Sequence, residues 1–306
     1  MKAIQYTAFG GSEVIRLVET AKPDFAEDEV LIKAAAVTVN PADIKFRSGI
    51  LQSRMPIQLP FIPGLDVAGV VEAVGSKVSR IKVGDKVYGG KFGGTYAQFV
   101  VLKEESTGII PSNVTLNEAA SLVVSLVTAY SFLIENAAVK PGMKLFIQGI
   151  AGGTGAVILQ MAKALGLYVI GTASANGIEL AKSLGADKVI NYRTEDFATM
   201  VSDVDLVIDM VGGDVQAKLF GVLKKGGKLL SAVQPPLQEL AQQYGVEATF
   251  VSSAYSYQKL DYGKSMVEQG IIKPKIVRTL KLPHAARAQD IVSAGGIDGK
   301  VVLEID

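Results

Sequence analysis

The 306-residue chain has no cysteine and a single histidine, His284. Without cysteine there is no disulfide framework. A catalytic zinc needs three N, S or O ligands around an open position, and no such set is visible; the lone His284 lies in a Pro-His-Ala-Ala turn and reads as a solvated or helix-start residue. Charge of one sign is also scarce: 31 basic residues balance 30 acidic ones. No basic block is present to follow a phosphate backbone, so nucleic acid is not an expected partner. There is no internal repeat and no low-complexity linker. The N-terminal residues MKAIQYTAFGGSE lack a signal-peptide core, and the expected location is the cytoplasm. The longest apolar run, Ala119–Ile134, contains Ser121, Ser125, Thr128, Tyr130 and Ser131 and is flanked by Glu118 and Glu135. It reads as a buried helix between domains; a membrane span would need about 20 apolar residues.

What is present is a chain long enough for two cores. Lys144–Leu165 combines a short apolar run (Leu145–Ile147), a glycine turn from Gly149 to Gly155 and an amphipathic helical pattern. Strand, glycine turn and helix in that order make the start of a dinucleotide-binding βαβ unit. Gly152 and Gly153 let the backbone approach a diphosphate, Gly155 lets the helix pack on the strand, and Ala151 and Thr154 complete the turn. The helix N-terminus adds unpaired N–H donors and partial positive charge. The match to GxGxxG is not strict. Ile150 stands where the first glycine belongs, and as a β-branched residue it is expected to crowd the turn.

Alternation continues downstream. Strands are expected at Leu167–Thr172, Lys188–Tyr192, Val204–Asp209 and Lys228–Val233, and helices over Ile178–Gly185 and Asp214–Lys225. Short apolar runs alternating with helical patterns predict a parallel sheet covered on both faces. After the second strand, Ser174 and Asn176 stand where NAD-selective sites carry an acid. A carboxylate 4 Å from a 2′-phosphate would cost roughly 4 kcal/mol per pair of unit charges at an effective dielectric near 20. Its absence permits NADP, with Ser174, Asn176, Tyr192 and Arg193 around the phosphate. NADPH is therefore expected over NADH.

The first hundred residues read differently. Met1–Tyr6, Glu29–Val39, Val67–Val74, Lys86–Tyr88 and Tyr96–Leu102 are strand-like and separated by short glycine and proline turns, as in a partly closed β-barrel. In this half and beyond, the chain resembles the medium-chain dehydrogenase/reductase superfamily, in its zinc-free quinone oxidoreductase (zeta-crystallin-like) branch. The matching residues are VNPAD (39–43), PGLDVAGVV (63–71), VGDKVY (83–88), GTYAQ (94–98), LVTAY (126–130), AGGTG (151–155), LGAD (184–187) and GKVVL (299–303). The resemblance implies an α/β protein with a GroES-like β-barrel domain (1–121 and 256–306) and a Rossmann doubly wound parallel-sheet domain (122–255). Strands near Lys275–Lys281 and Lys300–Ile305 would return to the first domain. The family places its cofactor in the cleft between the domains. In its zinc-dependent members a cysteine and a histidine ligate the metal; here Asn40 and Leu65 stand in those places.

Without zinc to polarise an alcohol, hydride transfer from NADPH to a quinone or an α,β-unsaturated carbonyl is the expected reaction, the cofactor carrying the chemistry. Asn40 is the candidate donor to the developing oxyanion; as Asn-Pro it also forms a turn. Asp43 is placed to orient neighbours from a short helix. Lys45 resembles a lysine that plant enone reductases set near the nicotinamide ribose. Thr128, Val211, Gly212 with Gly213, Val233 and Ser252 match cofactor-contacting positions or strand ends. Tyr88 is a conceivable proton donor. An enoyl-thioester reductase is the rival enzyme, and a non-catalytic, crystallin-like NADPH-binding protein the rival of another class. The resemblance also implies a homodimer joined through edge strands of the nucleotide domain.

Overall fold

The computed structural model describes residues Met1–Asp306. The strands in chain order are β1 (Lys2–Gln5), β2 (Arg16–Glu19), β3 (Glu29–Val39), β4 (Asp66–Val74), β5 (Lys86–Gly90), β6 (Phe99–Lys103), β7 (Thr107–Ile109), β8 (Lys144–Gln148), β9 (Tyr168–Ala173), β10 (Lys188–Asn191), β11 (Val204–Asp209), β12 (Leu223–Ser231), β13 (Glu247–Phe250), β14 (Ile276–Lys281) and β15 (Lys300–Glu304). The helices are α1 (Pro41–Arg47), α2 (Leu116–Tyr130), α3 (Gly153–Ala164), α4 (Ala175–Ser183), α5 (Gln216–Leu219), α6 (Gln238–Tyr244), α7 (Tyr257–Glu268) and α8 (Ala285–Ser293). The chain divides into two units, one of Met1–Val124, Tyr255–Gln269 and Pro274–Asp306, the other of Ser125–Ala254 and Gly270–Lys273.

In the first unit a sheet runs β14-β15-β3-β4-β5-β7, with β6 also paired to β3. One strand can serve three neighbours because β3 is 11 residues long and its register to β4 shifts twice, between Leu31 and Ile32 and between Ala34 and Ala36. Such irregularities bend a strand and raise its local twist. Its alternate side chains, Val30, Ile32, Val37 and Val39 among them, join Val67, Val71, Val87, Tyr96, Val301 and Leu303 in one core.

The second unit holds a six-stranded parallel sheet in the order β10-β9-β8-β11-β12-β13. Renumbered within the unit this is 3-2-1-4-5-6, the Rossmann order. Leu145, Phe146 and Ile147 on β8 and Val207 and Ile208 on β11 are fully buried, as strands covered on both faces require. The segment expected to be helical over Asp214–Lys225 is not one helix. Gly213–Val215 and Phe220–Val222 are 3₁₀ turns around the single turn of α5, and the chain is extended from Leu223. Leu219, Phe220 and Val222 bury together against Phe146 and Val207, and the chain leaves the helix before Lys224 and Lys225. The apolar run Leu116–Asn136 has the length and hydropathy of a membrane-crossing helix but is mostly buried inside protein.

Candidate functional site

In the parallel-sheet unit the site residues gather at one rim. Cross-strand partners run Asn191↔Ala173, Thr172↔Gln148, Gln148↔Asp209, Asp209↔Ser231 and Ser231↔Phe250. Six strands thus end side by side at their C-terminal edge, where open α/β sheets bind ligands. From this rim spring the turn Gly149–Gly155, Ser174 and Asn176, Tyr192 and Arg193, Val211 and Gly212, Val233, and Ser252 just beyond β13. Thr128 instead lies buried on α2.

The glycine turn is held by Thr172, whose Oγ1 accepts from Gly149 N–H (3.2 Å) and whose carbonyl accepts from Ile150 N–H (3.0 Å). Gly149 has φ +80°, the left-handed region that favours glycine. At Gly155 a Cβ would lie 2.2 Å from Gly149 O, so only glycine lets α3 sit this close to the end of β8. Gly152 caps α3 with extended backbone and no side-chain cap, which leaves the first-turn N–H groups to an incoming ligand. Thr154 Oγ1 is within 3.3 Å of Ser125 Oγ. Ile150 does not crowd the turn. It is fully buried, its side chain filling the space that Gly171 on β9 leaves: a Cβ at Gly171 would fall 2.6 Å from Ile150 Cβ.

No acid stands at Ser174–Asn176; Ser174 is the N-cap of α4, and Asn176 is exposed. Tyr192 N–H donates to Ala173 O (3.3 Å), bringing the loop after β10 to the end of β9, and the Arg193 guanidinium lies 6.0 Å from the exposed Tyr192 ring. After β11, the fully buried Asp209 accepts from Val211 N–H (3.0 Å) and Gly212 N–H (2.8 Å) through Oδ1, and from Gln216 and Ser231 through Oδ2. This carboxylate fixes the Val211–Gly213 loop, and Val211 is left 55% exposed. Sequence reasoning passed over Asp209, although an acid closing the apolar run VDLVID is itself a signal.

In the first unit Asn40, the N-cap of α1, is buried in a charged network. Its Oδ1 accepts from Lys300 Nζ (2.7 Å) and its Nδ2 donates to Asp66 Oδ2 (3.1 Å). Asp66 also accepts from Thr38 N–H (2.7 Å) and Thr38 Oγ1 (2.5 Å). The second Nδ2 hydrogen faces Thr38 O and Oγ1 at 3.4 Å, so the amide spans an ammonium and a carboxylate with both ends engaged, and donation to an oxyanion would require it to give up one of these bonds. Asp43 accepts from Asn40 N–H (2.8 Å), Gly64 N–H (3.1 Å) and Tyr96 OH (3.1 Å). Burial pushes its carboxyl up to about 7, against the pull of these donors and with a further push from Asp66. Burial likewise raises Asp66, an effect that Lys300 opposes, and it lowers Lys300, which both carboxylates pull back up. Lys45 is half-buried on α1 and makes no ion pair. Tyr88 is fully buried and donates to Leu260 O (2.8 Å), so it has no route to a substrate proton. Lys300 and Asp66 were both missed as site residues, although both lie inside matched motifs.

Two family models match. The alcohol dehydrogenase GroES-like domain covers residues 26–112, and the zinc-binding dehydrogenase model covers 184–303. A tomato (Solanum lycopersicum) 2-methylene-furan-3-one reductase is 36% identical over 321 residues, spanning 99% of this chain and 79% of its own length. Human quinone oxidoreductase is 30% identical over 99% of this chain and 97% of its own. This chain belongs to the zinc-free quinone oxidoreductase branch of the medium-chain dehydrogenase/reductase superfamily. The Escherichia coli quinone oxidoreductase complexed with NADPH superposes with a TM-score of 0.91 at 29% identity, over 99% of this chain and all of that one. Despite the description of the second model, this member of the branch brings no three His, Cys, Asp or Glu side chains together in a metal-binding group. Where zinc-dependent members of the superfamily carry their first ligand, it has an asparagine tied to a lysine and an aspartate.

Proposed function

We propose that the chain transfers hydride from NADPH to a quinone or an α,β-unsaturated carbonyl, with no metal ion. The observation that carries this reading is the rim of the parallel sheet: a glycine cradle closed by Gly155, with a strand end at Ser174 that bears no carboxylate. The amides of Gly152–Gly155 would take the diphosphate. Ser174, Asn176 and Arg193 would take a 2′-phosphate, with Tyr192 flanking it. The loop Val211–Gly213, held by Asp209, and Val233 and Ser252 would border the rest of the cofactor. Reduced nicotinamide, when bound, supplies the hydride. We assign Asn40 and Asp43 a positioning role, since their polar atoms are engaged by Lys300, Asp66, Gly64 and Tyr96. The unpaired ammonium of Lys45 is assigned to the ribose.

The test is NADPH oxidation by the purified protein against a benzoquinone, an alkenone and an enoyl thioester, with NADPH and NADH affinities measured alongside. Turnover with the first two, and tighter binding of NADPH than NADH, is the expected outcome. Turnover with the thioester alone would favour the enoyl-thioester reading. Tight NADPH binding with no turnover of any acceptor would favour a binding protein. A crowded diphosphate turn would favour a binding protein; Ile150 instead packs against Gly171.

A further inference from the structure

Asp209 closes β11 and ties two loops of the parallel-sheet unit together. Its Oδ1 accepts from Val211 N–H (3.0 Å) and Gly212 N–H (2.8 Å), as an aspartate does when it bonds its own backbone in a turn. Its Oδ2 accepts from Ser231 Oγ (3.0 Å) at the end of β12. The Ser231 oxygen accepts in turn from Val233 N–H (3.3 Å) and Gln234 N–H (3.4 Å). The two loops also meet directly. Gly213 N–H donates to Gln234 Oε1 (2.9 Å), and a Cβ on Gly212 would fall 2.9 Å from Val233 Cγ2. Gln216 donates to Asp209 Oδ2 (2.8 Å), while its own buried Oε1 has no partner. Val211 carries this assembly to the glycine turn: its Cγ2 lies 3.3 Å from where a Cβ of Gly149 would be.

The strand order sets β11 and β12 on the side of β8 away from β9 and β10. A dinucleotide with its diphosphate on the turn after β8 therefore has its 2′-phosphate end at Ser174 and its nicotinamide end at Val211 and Val233. We propose that Asp209 is a positioning residue whose carboxylate latches these two loops into one preformed surface for the nicotinamide half of NADPH. The proposal rests on the cofactor reading above and deepens it. Asp209 is fully buried, so it acts through the loops and not on the coenzyme. The latched loop contains Gly212 and Gly213 in succession, residues with the most backbone freedom to lose. With the latch in place, that ordering is complete before the coenzyme arrives and does not weaken binding.

The experiment compares Asp209→Ala, Asp209→Asn and Ser231→Ala with the parent. Calorimetry measures affinity for NADPH and for adenosine 2′,5′-bisphosphate, which carries the 2′-phosphate end and no nicotinamide. Hydrogen exchange in the free protein follows the amides of Val211 and Gly212. Asp209→Ala should weaken NADPH about tenfold, about 1.4 kcal/mol, speed exchange at both amides and leave the bisphosphate within about twofold. Asp209→Asn keeps Oδ1, and its Nδ2 can donate to Gln216 Oε1 once that amide turns; NADPH should weaken only about threefold. Ser231→Ala frees the Val233 loop alone and should also weaken NADPH about threefold. Parental NADPH affinity in Asp209→Ala would overturn the proposal. So would an equal loss for the bisphosphate, which marks general damage to the unit, or an asparagine variant as weak as the alanine one. Should Asp209→Ala not fold, Ser231→Ala decides: unchanged NADPH affinity there overturns the latch. If the parent binds neither NADPH nor the bisphosphate, it is the cofactor reading that fails, before Asp209 is reached.

Discussion

Replacing Gly155 by alanine should loosen the start of α3 and weaken cofactor binding together. The new methyl would sit 2.2 Å from Gly149 O and 3.1 Å from both Gly149 C and Ile150 Cα. All three are backbone atoms, so no rotamer change relieves the contact. An ordinary C···O approach is about 3.3 Å, so α3 must retreat from the end of β8 by about 1 Å. Overpacking of this kind costs about 1–3 kcal/mol, and here the high end applies because α3 buries Val157, Ile158, Leu159, Met161 and Ala162. Alanine returns at most about 1 kcal/mol of helix propensity. The net loss is about 2 kcal/mol, or about 4–8 °C in melting temperature for a unit of this size. Gly152→Ala is the matched control. Its Cβ would meet Gly149 O at 3.4 Å, an ordinary contact, and its φ of −65° suits alanine. Its stability should stay within about 1 kcal/mol of the parent, while NADPH affinity falls because the methyl lines the open side of the turn. Calorimetric melts and NADPH titrations of both variants separate the effects. A Gly155→Ala protein with parental stability and parental affinity would refute the close-packing argument.

Two further perturbations probe the charged network of the first unit. Asp43 has a folded value raised to about 7 from its ordinary 3.8, so the folded state holds a proton that the unfolded chain has already released. That contribution is complete below about pH 4 and is lost as pH rises through 7. Between pH 4.5 and 8 the parent should therefore lose about 3 kcal/mol relative to Asp43→Asn; parallel urea-melt stabilities across that range would contradict it. Lys300→Met leaves Asp66 buried without its cation and Asn40 Oδ1 without a donor. Leaving a buried carboxylate without its nearby cation costs up to about 3–5 kcal/mol, and adding Asp66→Asn should restore part of it. A double variant less stable than the sum of the singles would show that the two groups do not compensate each other.

What the sequence discloses and what it hides follow from the range of the interactions. β3 and β11 are readable to the residue because β-branched runs between turn signals decide them locally. The edge strand β13 has no such run; Glu247, Thr249 and Phe250 are mostly exposed, and its pairing with β12 alone makes it a strand. The glycine turn is legible because a left-handed φ at Gly149 and a missing Cβ at Gly155 are properties of residue type. The fate of Ile150 is not, since it depends on Gly171, on another strand. The first unit's site is harder still. Asn40 and Lys300 meet across 260 positions, and nothing local to either says that the amide is already engaged. An isolated Asn-Pro reads as a turn or as a free donor; only the ammonium and the carboxylate at its two ends decide between those readings.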